Sequence, residues 1–178
     1  MKLISAATIA TTIFLLQDAV KLASALDMRF YFALNCSGGW IQCGNLAPGF
    51  CCYSDTVPAA ALRLTSVSGV ADFSGWGSQT CSGPLAVSAS STGCKPATFA
   101  FYSGNYRSSL GLRAEPTTKT RIASRAPADC VQPDSFGFVD ENGEEHITKI
   151  TGGNRKAVYA ALAKSDVATL KVEAAAVA

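Results

Sequence analysis

The strongest constraint on this chain is its set of seven cysteines, all of which follow an apolar N-terminal segment. They are Cys36, Cys43, Cys51, Cys52, Cys81, Cys94 and Cys130. Such a cluster in an exported chain indicates either disulfides or a metal site. A metal site typically shows Cys-x-x-Cys pairs or interleaved histidines, but the chain has no such pair and its one histidine, His146, is remote in sequence. The cysteines therefore predict a disulfide framework, with no metal and no other cofactor.

Spacing restricts the pairing of these cysteines only loosely. Adjacent cysteines rarely bridge each other because the connecting peptide would be strained, so Cys51 and Cys52 are expected to have different partners. Cys81 and Cys94 bracket a Gly-, Ser- and Pro-rich stretch and are candidates for a local loop, whereas Cys130 is expected to tie the C-terminal third to the N-terminal cluster. Three bridges leave one cysteine over, which is either a buried thiol or the link of a disulfide-linked dimer.

The N-terminal segment has the parts of a secretory signal peptide. Lys2 precedes an uncharged run over residues 3–16, and a more polar stretch ends at Ala23-Ser24-Ala25. This run is shorter than the roughly 18 residues that a membrane-spanning helix needs. We therefore expect cleavage after Ala25, a secreted and extracellular mature protein, and no membrane anchor. An amphipathic N-terminal helix is the alternative.

The mature chain, residues 26–178, has a length typical of one domain with its own core. Removing Lys2, Asp18 and Lys21 with the leader lowers the formal net charge from +2 to +1. This near-neutral balance gives no general attraction to nucleic acid or to anionic membranes, so neither is an expected partner. The single secreted domain comprises a cysteine-rich β body (26–112), an exposed basic loop with two prolines (113–128) and a hairpin–helix–strand unit (129–178).

Short apolar runs broken by glycine and serine dominate the β body and favour a sandwich or a barrel. We predict strands at 29–34, 61–67, 85–91 and 98–102. The segment from Cys36 to Pro58 is rich in cysteine, glycine and proline, and we predict no strand in it.

The C-terminal third carries clearer local signals. Residues 135–139 and 146–150 flank Asn142-Gly143, a dipeptide favoured in hairpin turns, and predict a β-hairpin. Asn154 is a candidate helix N-cap, and an apolar stripe at helical spacing follows it until about residue 164. Residues 167–172 are predicted as a last strand. The expected fold class is α+β, mostly β: a compact, disulfide-stapled sandwich or barrel with a C-terminal hairpin and one helix.

No residue pattern assembles a catalytic site, so we expect that the chain is not an enzyme. His146 is the candidate general base by residue type, but it stands beside Glu144 and Glu145 on a hairpin arm, and the chain has no Gly-x-Ser-x-Gly elbow. The acidic run 140–145 is too short for an EF-hand, and we interpret it as a charged hairpin tip. A carboxylate pair for glycoside hydrolysis is the weaker alternative.

Two tryptophans and one asparagine are candidate interaction sites. Glycines flank Trp40 and Trp76, so either ring can be presented to a sugar or a protein partner; filling a small core is the other interpretation. Asn35 begins the sequon Asn35-Cys36-Ser37 and is the candidate glycosylation site, in competition with bridging of Cys36.

The segment Cys36-Ser-Gly-Gly-Trp-Ile-Gln-Cys43, followed by the adjacent pair Cys51-Cys52, resembles small cysteine-rich secreted proteins of filamentous fungi. Many of those proteins are candidate plant-pathogen effectors. The likeness extends to about Cys94 and depends on cysteine spacing with glycine and proline, not on a catalytic signature. It implies secretion and interaction with a host.

A second likeness concerns Asn105-Tyr-Arg-Ser108-Ser109, which is similar to part of the calcium-binding turn in βγ-crystallin-type Greek keys. Gly104 precedes it, where that motif has Asn or Asp. The likeness implies a Greek-key β fold.

The sequence therefore predicts a secreted, non-enzymatic, effector-like protein that acts by binding a host protein or a neighbouring cell. A module that binds cell-wall polysaccharide or another carbohydrate is the first alternative, supported by the glycine-flanked tryptophans. A secreted toxin or antimicrobial protein, or a small hydrolase, is the second alternative.

Overall fold

The computed structural model describes residues 26–65, 71–108 and 130–177. These ranges contain the strands β1 (Leu26–Tyr31), β2 (Trp40–Leu46), β3 (Cys51–Tyr53), β4 (Ala59–Thr65), β5 (Ala71–Trp76), β6 (Leu85–Ser90), β7 (Lys95–Phe101), β8 (Ser103–Ser108), β9 (Cys130–Val131), β10 (Ser135–Val139) and β11 (Glu145–Lys149), and the helices α1 (Arg155–Ala163) and α2 (Val167–Ala175). The predicted leader and the predicted basic loop lie outside the described residues, as does Val67 at the end of a predicted strand. Within these ranges, neither helix has the length and apolar composition needed to cross a membrane.

The strands form two sheets that pack around a shared core. A six-stranded sheet has the order β11-β10-β2-β1-β4-β7, and a five-stranded sheet has the order β6-β5-β8-β3-β9. Neighbouring strands are antiparallel, except that β3 and β9 pair in parallel. Met28 and Phe30 of the first sheet are fully buried and face Gly104 of the second, where a Cβ would lie 2.9 Å from the Met28 sulfur. The predicted class, a disulfide-stapled α+β fold that is mostly β, is confirmed.

Three disulfides fasten this architecture. Cys43–Cys52 joins β2 of one sheet to β3 of the other, Cys51–Cys81 joins β3 to the loop after β5, and Cys36–Cys94 joins the loop after β1 to the β6–β7 turn. Cys51 and Cys52 have different partners, as predicted, because successive side chains of a strand point to opposite faces.

Two of the predicted pairings are wrong. Cys81 and Cys94 do not bridge each other; their partners are Cys51 and Cys36. Cys130 forms no disulfide with the described residues. It lies opposite Cys51 in the parallel ladder between β9 and β3, so backbone pairing connects β9 to the N-terminal cysteine cluster. Cysteine spacing does not reveal which strands become neighbours.

The four strands predicted in the β body are present with shifted ends, as β1, β4, β6 and β7. The segment from Cys36 to Pro58, in which no strand is predicted, contains β2 and β3. Residues 40–43 of β2 are buried on both faces, so the strand lacks the polar–apolar alternation that reveals a half-exposed strand. Asn105 and its neighbours form part of β8 instead of a turn, and Ser109 lies outside the described residues.

The predicted hairpin is confirmed as β10 and β11, although its connection is longer than the predicted Asn142-Gly143 turn. Only Gly143 of that pair has a positive φ, at 82°. The Gly143 N–H donates to the Asp140 carbonyl at 3.1 Å, and the Asp140 N–H donates to the Glu144 carbonyl at 3.0 Å. This pattern matches a turn closed by a glycine bulge.

The predicted helix is confirmed as α1, but the predicted last strand at 167–172 is wrong because these residues belong to α2. Asp166 caps α2: its carboxylate accepts from the Thr169 N–H at 3.0 Å and from the Thr169 hydroxyl at 2.6 Å. Asn154 occupies the N-cap position of α1, but its side chain forms no capping bond. Its Oδ1 accepts from the Thr151 N–H at 2.7 Å instead.

The hairpin and helices are integral to the fold. Strand β10 pairs with β2 in the six-stranded sheet. Leu162 of α1 and Leu170 of α2 are buried against the loop that enters β2, where a Cβ at Gly39 would lie 2.5 Å and 2.8 Å from their methyl carbons. A side chain at position 39 would therefore displace the methyl groups of Leu162 and Leu170.

Candidate functional site

The outer face of the five-stranded sheet carries a polar groove, built first by the alternation of β5. Phe73 and Gly75 of this strand are buried in the core, whereas Asp72, Ser74 and Trp76 are at least partly exposed on the opposite face. The outward row therefore begins with a carboxylate and ends with an indole.

The neighbouring strands β6 and β8 extend this row in register. Two polar cross-strand rows result, Ser90–Asp72–Arg107 and Ser88–Ser74–Asn105. A cavity of about 490 Å³ lies over these rows, with Trp76 among its walls. We refer to this cavity as the Trp76 groove.

Hydrogen bonds orient the side chains of the Trp76 groove. The indole N–H of Trp76 donates to Asn105 Oδ1 at 3.2 Å, and the half-buried ring is thereby held at one end of the groove. The Ser90 hydroxyl donates to Asp72 Oδ1. The groove thus combines a fixed aromatic surface with amide, carboxylate, hydroxyl and guanidinium groups. Such a set can stack on the apolar face of a ligand and bond its hydroxyl groups.

The glycines on either side of Trp76 serve packing. A Cβ at Gly75 would lie 2.7 Å from Val87 Cγ1, and one at Gly77 would lie 3.2 Å from Phe99 Cε2. These glycines let the strand approach its neighbours, and the alternation of β5, more than the glycines, brings the indole to the outer face.

Trp40, the other candidate binding aromatic, lies in the core with 1% of its surface exposed. The Tyr31 ring lies 5.4 Å from its ring, centroid to centroid, and the Arg29 guanidinium carbon lies 4.5 Å above it. Arg29 in turn donates to Gln42 Oε1 at 2.9 Å and to the Glu145 carboxylate at 3.0 and 3.1 Å. The core-filling interpretation therefore holds for Trp40.

His146 lies on the hairpin with Asp140 and Glu144, and ligand atoms of the three residues are within 4.8 Å of one another. His146 Nε2 and Asp140 Oδ2 are 2.9 Å apart, and the Asn142 and Glu144 N–H groups donate to Asp140 Oδ1 at 2.9 Å each. The His146 bond and then these backbone bonds lower the pKa of Asp140 to about 2. The three residues are of types that ligate cations, but both Asp140 oxygens already accept hydrogen bonds that close the turn.

One face of the His146 ring is also occupied, since it stacks on Phe138 with centroids 5.1 Å apart. The histidine is exposed and held by two neighbours of its own hairpin. These contacts within the hairpin agree with the interpretation of residues 140–145 as a charged hairpin tip.

The predicted glycosylation site, Asn35, is exposed in the loop after β1. Its Oδ1 accepts from the Ser37 N–H at 3.2 Å and from the Ser37 hydroxyl at 2.7 Å. Cys36 between them is bridged to Cys94. Bridging and exposure of the sequon are therefore compatible in the folded chain, and glycosylation stays a prediction.

Most residues of the Trp76 groove were missed by sequence reasoning. The available signal was the alternation of polar and apolar residues over 71–76, which marks one exposed strand face. The partners on β6 and β8 depend on strand register, which the sequence of β5 does not contain.

Fold and groove together define a class: a disulfide-stapled α+β protein, mostly β, with two sheets and a polar groove on the outer face of one of them. The chain belongs to the family described as ARB_05566_N: N-terminal domain, whose model matches residues 27–134. The matched range is 108 of the 178 residues and runs from β1 to β9, so it contains the Trp76 groove and all six bridged cysteines. No curated protein and no solved structure matches the chain.

Proposed function

We propose that this chain is a secreted, non-enzymatic binding protein and that the Trp76 groove receives a carbohydrate. The observation that carries the proposal is the indole of Trp76, held by Asn105 at the end of two polar cross-strand rows. Sugar rings have apolar C–H faces and hydroxyl edges, and this groove offers complementary surfaces to both. The groove volume of about 490 Å³ is within the range of ordinary small-ligand sites.

The charges of the groove favour a neutral ligand. Asp72 and Arg107 contribute one negative and one positive charge across β5 and β8. A polyanion such as a nucleic acid or a uronic acid polymer would meet the Asp72 carboxylate without a surplus of cations. Neutral glucan or chitin chains are therefore the ligands best suited to this site.

Secretion is supported by the predicted leader and by the three disulfides, which are typical of proteins that fold in an oxidising compartment. The resemblance to secreted fungal effector candidates supports an effector-like role. In that role the ligand belongs to the wall of a host or of a neighbouring cell.

The test is retention of the purified mature protein on insoluble chitin, cellulose and β-glucan, followed by calorimetry with soluble oligosaccharides of the retaining polymer. We expect retention on at least one polymer and a loss of roughly tenfold or more in affinity for Trp76→Ala, since tenfold corresponds to about 1.4 kcal/mol. Asn105→Ala should weaken binding less than Trp76→Ala does, because it removes the group that orients the indole but leaves the ring itself in place. Phe50→Ala is the matched control, since Phe50 is a 40% exposed aromatic outside the groove.

Two results would count against the proposal. Absence of retention on all three polymers and of any signal on a broad glycan array would remove carbohydrate as the ligand. Full binding by Trp76→Ala would move the site elsewhere on the protein. Capture of a host protein that is insensitive to Trp76→Ala would instead favour the protein-binding alternative.

A further inference from the structure

Strand β11 lies at one edge of the six-stranded sheet. Among the described residues it pairs with β10 on one side, and no described strand lies on its other side. All of its residues except Thr148 are exposed, including Ile147 with 49% of its surface accessible. An edge strand presents a row of backbone N–H and C=O groups to which another strand can bond. We call this row the β11 edge.

The hydrogen bonds at the two ends of the hairpin decide which backbone groups point outward. The Asp140 N–H donates to the Glu144 carbonyl at 3.0 Å, and the Ile150 N–H donates to the Asp134 carbonyl at 2.8 Å. Between these two bonds the register of β10 and β11 has no shift. Bonded and non-bonded pairs therefore alternate from one end of the hairpin to the other.

This alternation divides the residues of β11 into two sets. The backbone groups of His146 and Thr148 face β10, and those of Glu145, Ile147 and Lys149 face away from it. A further strand at the β11 edge therefore has to bond to these last three residues.

A second copy of β11 fits this requirement. When two copies lie antiparallel about a two-fold axis at Ile147, each Ile147 lies opposite its own equivalent and each Glu145 lies opposite a Lys149. All of these residues have outward backbone groups, so every such pair can exchange both of its bonds. The Lys149 carbonyl also accepts from Asn154 Nδ2 at 3.3 Å, and it has a second lone pair for the new strand.

The charges of β11 select this register. It places the Glu145 carboxylate of each copy opposite the Lys149 ammonium of the other, and opposite charges across a strand pair are stabilising. Moving the two-fold axis by one residue would instead place Ile147 opposite a charge. Glu145 accepts from Arg29 within its own chain, but its side chain is still 45% exposed and can contact a second cation.

We propose that the β11 edge is an interface between two copies of this chain, which pair as antiparallel strands about Ile147 and continue the sheet across a dimer. The two Ile147 side chains lie beside each other on one face and shield each other from water. The occupant is a second copy because β11 itself supplies the charges that complement the edge in this register. The Trp76 groove is on the other sheet, so the interface and the groove are separate.

The experiment is sedimentation equilibrium of the mature protein, combined with amide hydrogen exchange followed by NMR. Small interfaces are weak and transient, so the concentration series extends to about 1 mM. We expect a reversible monomer–dimer equilibrium. Exchange of the Glu145, Ile147 and Lys149 amides should slow at least tenfold as the concentration rises. The His146 and Thr148 amides should be protected at every concentration, because they bond to β10.

Two substitutions test the pairing without removing a backbone bond between β10 and β11. Ile147→Pro deletes an outward N–H, and proline is tolerated on an edge strand in this orientation. Lys149→Glu places two carboxylates opposite each other. Each should raise the dimer dissociation constant at least tenfold. Lys164→Glu is the matched control, since it makes the same charge change at the C-cap of α1 and should leave dimerisation unchanged.

Three outcomes would overturn the proposal: a monomer at every concentration, a dimer that Lys149→Glu does not weaken, or a dimer that survives denaturing, non-reducing electrophoresis and is therefore linked through a cysteine. A melting temperature measured on dilute protein shows whether Ile147→Pro still folds; if it does not, Lys149→Glu decides. Ile147→Pro should keep the wild-type affinity for soluble oligosaccharides. A failure at the β11 edge is thereby distinguished from a failure at the Trp76 groove.

Discussion

The two tryptophans, Trp40 and Trp76, lie in different environments in the fold. Both have glycine neighbours in sequence. Trp40 lies on β2, a strand that is covered on both faces, whereas Trp76 lies on the outer face of β5. One ring therefore contributes to stability and the other is available to a ligand.

Trp40→Ala should destabilise the protein by about 3–5 kcal/mol, since it removes a large, fully buried side chain and leaves a cavity. Trp76→Ala should cost much less because its ring is half-buried on the surface. Urea denaturation of both variants measures the difference. A Trp40→Ala protein as stable as Trp76→Ala would contradict the assignment of Trp40 to the core.

Asp140 provides a pH-dependent contribution to the hairpin. Its pKa in the folded chain is about 2, below the ordinary value of 3.8, because the bonds from His146 and from the turn N–H groups favour the carboxylate. A lowered folded pKa stabilises the native state above the unfolded value and ceases to do so as the pH falls through the folded value. Asp140→Asn should therefore lower the melting temperature at pH 7, and the deficit should shrink between pH 4 and pH 2.

Thermal melts of both proteins across this range test the prediction. Glu144→Gln is the control, because it keeps the backbone N–H that donates to Asp140. A deficit of Asp140→Asn that stays constant down to pH 2 would show that the carboxylate charge is not the cause.

Among the secondary-structure elements, the hairpin joins the rest of the six-stranded sheet through the antiparallel pairing of β10 with β2. A Cβ at Gly137 would lie 2.4 Å from Trp40 Cζ2 and 2.8 Å from the His146 carbonyl oxygen. The Trp40 ring therefore covers the glycine of β10, and the backbone of β11 closes the space from the other side.

Gly137→Ala should destabilise the protein by about 1–3 kcal/mol or more, since overpacking here involves a backbone atom that cannot turn away. Gly93→Ala is the matched control, because a Cβ at Gly93 meets no atom within 4 Å. Chemical denaturation of the two variants gives the comparison. Equal stability of Gly137→Ala and wild type would mean that Trp40 does not pack on β10.

At the scale of the whole molecule, the disulfides connect parts that are distant in sequence. Cys36–Cys94 closes a separation of 58 residues, whereas Cys43–Cys52 closes 9 residues and joins the two sheets. In the loop-entropy account, these bridges contribute about 4 and about 2.5 kcal/mol respectively, the longer loop more.

Removing Cys36–Cys94 by double Cys→Ser substitution should therefore destabilise the protein more than removing Cys43–Cys52. Equilibrium denaturation gives the order, and non-reducing peptide mapping checks that the remaining bridges keep their partners. Mapping of the wild type should yield the three pairs described above; a Cys81–Cys94 peptide would contradict the fold.

Local patterns in the sequence predict the mostly β class, the disulfide chemistry, the hairpin and α1, because alternation, helical periodicity and adjacent cysteines act over a few neighbouring residues. The remaining features depend on contacts between distant parts of the chain. Residues 167–172 alternate like a strand, yet Asp166 caps them as a helix whose Leu170 is buried beside Gly39. Cysteine partners, the strand β2 and the Trp76 groove all depend on which strands become neighbours and in which register. Those contacts join residues far apart in the chain, so no local pattern of residue types contains them.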